Sequence, residues 1–223
     1  MAVPAQTLQS EPAGPPTDTD EELFERLVHD LRNPLGVIAH FAEAIPEAEA
    51  AERDEMFKRL RLNVQRALQV LEELSLLADL RAGRAEPALE ACDVGQLIDL
   101  LTVELESMER RPGRIQRRIE VRNCRQLPRA HLACALRALL RAALRGTAAD
   151  DALDLEVREQ GGQIVFKLMA PLPVHPAGAA PRVLSGSDDI ELSARVAALY
   201  RGHCGLERLV DREVVTFTLP VLG

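Results

Sequence analysis

Two stretches of helical hydrophobic periodicity, separated by a proline, constrain this chain more than any other feature. Leu23, Leu27, Leu31, Leu35, Ile38, Ala42 and Ile45 recur every three or four residues, and a second series runs through Phe57, Leu60, Val64, Ala67, Leu71, Leu74 and Ala78. A period of 3.6 places each series on one stripe of a helix. Thr17 or Thr19 offers an N-cap, and Asp20, Glu21 and Glu22 suit the positive end of a helix dipole. Pro34 is placed to kink the first helix and Pro46 to close it. The spacing therefore predicts a helical hairpin. Two such helices share one narrow apolar seam that they bury poorly between themselves, so two hairpins are expected to join as a four-helix bundle in a homodimer.

The texture changes on either side. Residues 1–18, with four prolines among Ala, Thr, Gln and Ser, hold too little apolar surface to order and are expected to be a tail. The hairpin spans 19–82, and Gly83 and Pro87 among charged residues mark a linker over 83–90. Over 91–223, helical patterns at Val94–Met108, Ala130–Leu144 and Ile190–Tyr200 alternate with short strand patterns. The strands are expected at Ile119 and Val121, at Leu153, Leu155 and Val157, at Ile164, Phe166 and Leu168, and at Val215, Phe217 and Leu219, with a hairpin turn at Gly161-Gly162. This mixture predicts an α/β sandwich with helices packed on one face of a sheet. Residues 171–187, rich in Pro, Gly and Ala, are expected to be mobile.

Composition removes several function classes. With no Trp, one Tyr and five Phe there is no platform for stacking single-stranded nucleic acid, and 27 basic against 35 acidic residues, a net charge of −8, argue against general nucleic-acid binding. A local basic run remains in Arg110, Arg111, Arg114, Arg117, Arg118, Arg122, Arg125 and Arg129, for which solvated surface with local ion pairs is the plain reading and a patch for an acidic partner the alternative. Cys92, Cys124, Cys134 and Cys204 have no metal-ligand or disulfide spacing, so no metal site is expected. His203 beside Cys204 lacks a third orienting group, which makes a nucleophilic cysteine a poor reading. The start has no signal-peptide pattern and nowhere do eighteen apolar residues run together, so a cytoplasmic protein without a membrane sensor is expected.

One histidine stands apart. His29 lies two residues from Leu27 and from Leu31, so at about 100° per residue it points away from the seam into solvent. Asp30 is adjacent, Asn33 follows one turn on, and Gly36 leaves bare space beyond. A carboxylate holding one ring N–H leaves the other nitrogen's lone pair free to accept a phosphoryl group. A plain surface histidine on an amphipathic helix is the competing reading, and residue chemistry by itself favours it. His40, on the same helix, points elsewhere and reads as surface.

The word His29-Asp30-Leu31-Arg32-Asn33-Pro34-Leu35-Gly36 resembles the H-box of two-component histidine kinases, in which a phosphoacceptor His precedes an acidic residue, an Asn or Thr and a Pro. Its place on the first helix of a hairpin is similar to the family's dimerisation and histidine phosphotransfer domain, and the helix–strand order beyond the linker resembles the kinase ATP-binding domain. The nucleotide motifs that the resemblance calls for are missing. Both Asn positions of the N-box fall on Ala138 and Ala142. The Asp-and-glycine box expected after Leu168 reads Met-Ala-Pro-Leu-Pro, and the last glycine box falls on Asp189-Ile190-Glu191-Leu192, where carboxylates would repel phosphates.

An intact H-box beside a degenerate nucleotide site resembles the histidine phosphotransferases derived from kinases. The resemblance implies a phosphorelay protein that passes phosphoryl groups between receiver-domain aspartates through His29 without ATP, with no cofactor of its own and Mg²⁺ supplied by the receiver. Asp30 would orient the imidazole and Asn33 would position a water. Gly36, Val37 and Phe41 would meet the receiver. Partners implied are response-regulator receivers and a hybrid histidine kinase. Two alternatives stay open: a non-catalytic pseudokinase regulator, and a divergent autokinase.

Overall fold

The computed structural model describes residues 18–85, 88–109, 112–121, 124–148, 150–171, 188–209 and 211–221. Residues 1–17 of the expected tail, Thr17 among them, and all but Pro171 of the 171–187 loop lie outside these residues, while Asp18 already belongs to the first helix.

Helix α1 (Asp18–Ala44) runs through Pro34, ends in a 3₁₀ turn at Ile45–Glu47 that contains Pro46, and packs antiparallel on α2 (Ala50–Arg81). Thr19 lies inside the helix, one residue past its first. The hairpin core is small: Leu23, Leu27, Val70 and Leu77, with Leu31 and Leu74 against them. Two stripe assignments need correction. On α1 the seam steps from Leu31 to Pro34, which is buried, while Leu35 is 48% exposed. An advance of three there, after two of four, keeps the seam within about 80° of arc, whereas a third advance of four carries Leu35 out of it.

On α2 the single expected stripe is really part of three faces. Val70, Leu74 and Leu77 meet α1, while Glu73 and Leu76, roughly 100° round the helix, face α4 of the second unit. Phe57, Val64, Leu68 and Leu71 fall on a third stripe and stay at least a third exposed. An apolar sequence pattern identifies a helix without saying which neighbour each residue meets.

The second unit is a five-stranded sheet ordered β2 (Ile115–Glu120), β4 (Leu153–Gln160), β5 (Gln163–Pro171), β7 (Arg212–Pro220) and β6 (His203–Arg208), parallel between β2 and β4 and antiparallel elsewhere. Strands β1 (Glu90–Cys92) and β3 (Arg125–Leu127) make a separate antiparallel pair. Helices α3 (Val94–Glu109), α4 (Arg129–Gly146) and α5 (Asp188–Leu199) supply the other half of the core. Alternation on β5 sends Ile164, Phe166, Leu168 and Ala170 inward, and Phe166 meets Phe217 edge-on across the β5–β7 register. Gly161 and Gly162 turn the β4–β5 hairpin with φ of 60° and 73°, the left-handed pair that a two-residue turn needs.

The sandwich expectation holds, with helices on one face of the sheet. Strands β1, β3 and β6 escaped the sequence reading. The first two are three residues long and pair with each other across a helix and a strand, and β6 lies on the sheet edge with little burial alternation. Val121 lies beyond the end of β2.

Candidate functional site

His29 projects from α1 with 68% of its side chain exposed, and its Nδ1 lies 3.7 Å from Asp30 Oδ1. The other oxygen of Asp30 is 3.9 Å from Arg145 Nη1, at the end of α4. Pro34 has no N–H to give the carbonyl of Asp30 four residues back, so the backbone of this turn lacks one helical hydrogen bond. Asn33 and Gly36 are exposed, and no atom lies within 4 Å of where a Cβ on Gly36 would sit.

Beside this face a cleft of about 270 Å³ opens between α1, α2, α3 and α4, reaching Asp30, Asn33, Val37, Asn63, Arg141 and Arg145. It adjoins a second recess that includes Val37, Phe41 and Leu62. Val37 is exposed and Phe41 half-buried. The α3 wall is tied to α2 by Gln69 Nε2, which donates to Glu104 Oε1 at 2.7 Å, and by Arg66, which donates to the Met108 carbonyl. His29, Asp30, Asn33, Gly36, Val37 and Phe41 therefore share one region, with the histidine on its solvent rim.

Ala138, Ala142, Asp189 and Glu191 form a different environment. Both alanines are buried in the α4 core. Between them in sequence, Arg141 donates two parallel hydrogen bonds to the fully buried Glu73 of α2, at 2.8 and 2.9 Å, and a third to Asp189 Oδ1 of α5 at 2.5 Å. Burial alone would favour a neutral guanidine, but the carboxylates of Asp189 and Glu73 outweigh it and hold Arg141 above its ordinary range. Glu191 pairs with Arg195 on its own helix at 2.9 Å. Asp189 is thus spent on an internal ion pair.

Sequence reasoning missed Glu73, Arg141 and Arg145. A signal was available: Arg137, Arg141 and Arg145 stand at steps of four among the Ala and Leu of α4, one row on one helix face. The 110–129 run is the denser arginine cluster in the sequence. There Arg114, Arg117, Arg118 and Arg125 form local pairs with Asp150, Asp99, Glu120 and Glu159, as the plain reading expected, while Arg110, Arg111 and Arg122 lie outside the described residues. His131 is half-buried with Nδ1 2.6 Å from Tyr200 Oη. Burial pushes the Cys204 thiol up to about 11, which leaves it mostly unreactive at neutral pH.

Residues 19–83 match the family model of the His Kinase A (phospho-acceptor) domain. No curated protein matches the chain by sequence. Among solved structures, the histidine kinase AdeS of Acinetobacter baumannii superposes with a TM-score of 0.57 at 14% identity, over 87% of this chain and 98% of that one. A structure of full-length ShkA in complex with AMPPNP gives 0.59 at 18% identity, over 90% of this chain but 46% of that one. A bacterial phosphotransferase gives 0.53 at 16% identity, over 93% of this chain and all of that one. The hairpin and the mixed sheet behind it therefore define a histidine-kinase-like fold. Residues 19–83 therefore carry a His Kinase A phospho-acceptor domain, and the chain as a whole has a histidine-kinase-like fold. Among the described residues no helix is long and apolar enough to cross a membrane.

Proposed function

We propose that this protein is a histidine phosphotransferase that relays phosphoryl groups between receiver-domain aspartates through His29 without using ATP. The observation that carries the reading is the contrast between an open His29–Asp30 pair and nucleotide positions filled by the protein's own side chains. Methyl groups at Ala138 and Ala142 offer no ligand for a metal–phosphate group, and Asp189 places a carboxylate in the first turn of α5, where phosphate would need donors. These residues do not fit a nucleotide.

In the transfer step the free ring nitrogen of His29 attacks phosphorus of the receiver's aspartyl phosphate. The N–P bond forms as the acyl P–O bond breaks, and the receiver recovers its carboxylate. Asp30 faces the other ring nitrogen, holds its proton and offsets the positive charge that the ring gains. Mg²⁺ belongs to the receiver. Transfer to a second receiver is the same step reversed. The bare space at Gly36 admits the partner's backbone, and Val37 and Phe41 give it an apolar contact. Donor and acceptor are a hybrid histidine kinase and response-regulator receivers.

The homodimer rests on α2. Its exposed apolar stripe of Phe57, Val64, Leu68 and Leu71 lies on the opposite side of the hairpin seam from Glu73 and Leu76, so it faces away from the α/β unit and is free to meet a second hairpin. Incubation of the protein with a phosphorylated receiver, with His29→Ala alongside, tests the function. Acid-labile phosphate on the wild type alone is expected. Absence of transfer, or transfer that survives the substitution, overturns the reading.

A further inference from the structure

The arginine row on α4 does more than close the nucleotide site. Arg137 donates to Glu72 at 3.0 Å and lies 3.7 Å from Glu104, Arg141 holds Glu73 and Asp189, and Arg145 reaches Asp30. The first two side chains are about nine-tenths buried and join the second unit to α2 at fixed places. Arg145, one turn beyond Arg141, emerges half-exposed on the rim of the cleft, at the carboxylate next to His29. Asp30 thus stands between an imidazole nitrogen at 3.7 Å and a guanidinium at 3.9 Å.

We propose that Arg145 is a positioning residue for phosphotransfer: it holds Asp30 in the orientation that fixes the His29 ring, and the Arg141 ion triad keeps it there. This rests on the phosphotransferase reading above. An isolated Asp on a solvent-facing helix turn rotates freely and spends little time against its neighbour's ring. A cation on the far oxygen, delivered by a separately anchored helix, restricts that rotation. The helix that bears the nucleotide asparagines in kinases here contributes a group to the phosphoacceptor site.

Transfer from a phosphorylated receiver is measured for the wild type, Arg145→Gln, Arg145→Lys, Asp30→Asn and the Asp30→Asn/Arg145→Gln double variant. Arg145→Gln is expected to lower the transfer rate at saturating receiver by roughly tenfold with the half-saturating concentration unchanged, and Arg145→Lys to recover most of it. Because Arg145 acts through Asp30, the double variant is expected to match Asp30→Asn alone. Independently of any transfer, ¹⁵N spectra of the neutral His29 ring are expected to show less of the Nδ1–H tautomer in Arg145→Gln than in the wild type. A wild-type rate and tautomer ratio in Arg145→Gln, multiplicative losses in the double variant, or no recovery with Lys overturns the inference. A wild type that accepts no phosphate overturns the phosphotransferase reading instead, and the tautomer ratio then decides the Arg145 role by itself.

Discussion

The surroundings of His29 and of Arg141 hold similar chemistry, a base or cation beside carboxylates, in opposite settings. At His29 the partners stand 3.7 to 3.9 Å apart, part-exposed, along the rim of a cleft. At Arg141 they are 2.5 to 2.9 Å apart, buried and geometrically matched. Part-exposed pairs of this kind contribute little to global stability, and they leave the imidazole open to a partner. A buried pair contributes rigidity, and it penalises removal of either member because the other is left charged without water. A reactive site and a structural joint thus separate by exposure more than by residue type.

Substitutions at the two places sharpen that contrast. The largest expected effect is on chemistry: His29→Ala removes phosphate uptake entirely, yet shifts unfolding free energy by no more than about 0.5 kcal/mol, because the side chain is exposed. Arg141→Ala does the reverse, with a loss of about 3–5 kcal/mol in denaturant unfolding, since the buried Glu73 carboxyl loses the partner that offsets its desolvation. Replacing Glu73, Arg141 and Asp189 together with apolar residues of similar volume is expected to restore most of that loss. If Arg141→Ala is as mild as His29→Ala, the distinction between joint and site is wrong.

The exposed stripe of α2 offers the next effect. Leu68→Glu with Leu71→Glu is expected to convert the dimer to monomer in sedimentation, with both side chains already in solvent and the hairpin core untouched. Smaller again is Gly36→Ala. Open space at that position predicts a gain of about 0.5–1 kcal/mol from helix propensity together with weaker receiver binding, read by titration calorimetry. The smallest effect is on pH dependence. Burial holds His131 below its ordinary value against the opposing pull of Asp79, so the unfolded chain takes up a proton near pH 6.5 that the folded one refuses. The stability that His131 supports is full above that pH and lost as pH falls. His131→Gln is expected to flatten the fall in melting temperature between about pH 7.5 and about pH 5.5.

Much of the architecture was legible in the sequence because its signals are local. The hairpin followed from apolar spacing, helices α3, α4 and α5 appeared within one or two residues of their observed ends, and the Gly161-Gly162 turn followed from its glycines. The outward direction of His29 followed from its angle to Leu27 and Leu31. The strands that pair over long separations without alternation were not legible. Nor was the division of α2 into three faces, because hydrophobic spacing records that a residue is covered and not by what.

The sequence by itself determined the two helices, the α/β texture and the exposed His29 with Asp30 beside it, since each depends on neighbours within two turns. Only the tertiary structure decided what the acidic and arginine residues do. Glu73, Arg141 and Asp189 lie 68 and 48 residues apart along the chain, and only chain folding brings their charges to hydrogen-bonding distance, out of water. In water such charges interact weakly at any separation. Burial lowers the local dielectric and makes their pairing both strong and obligatory.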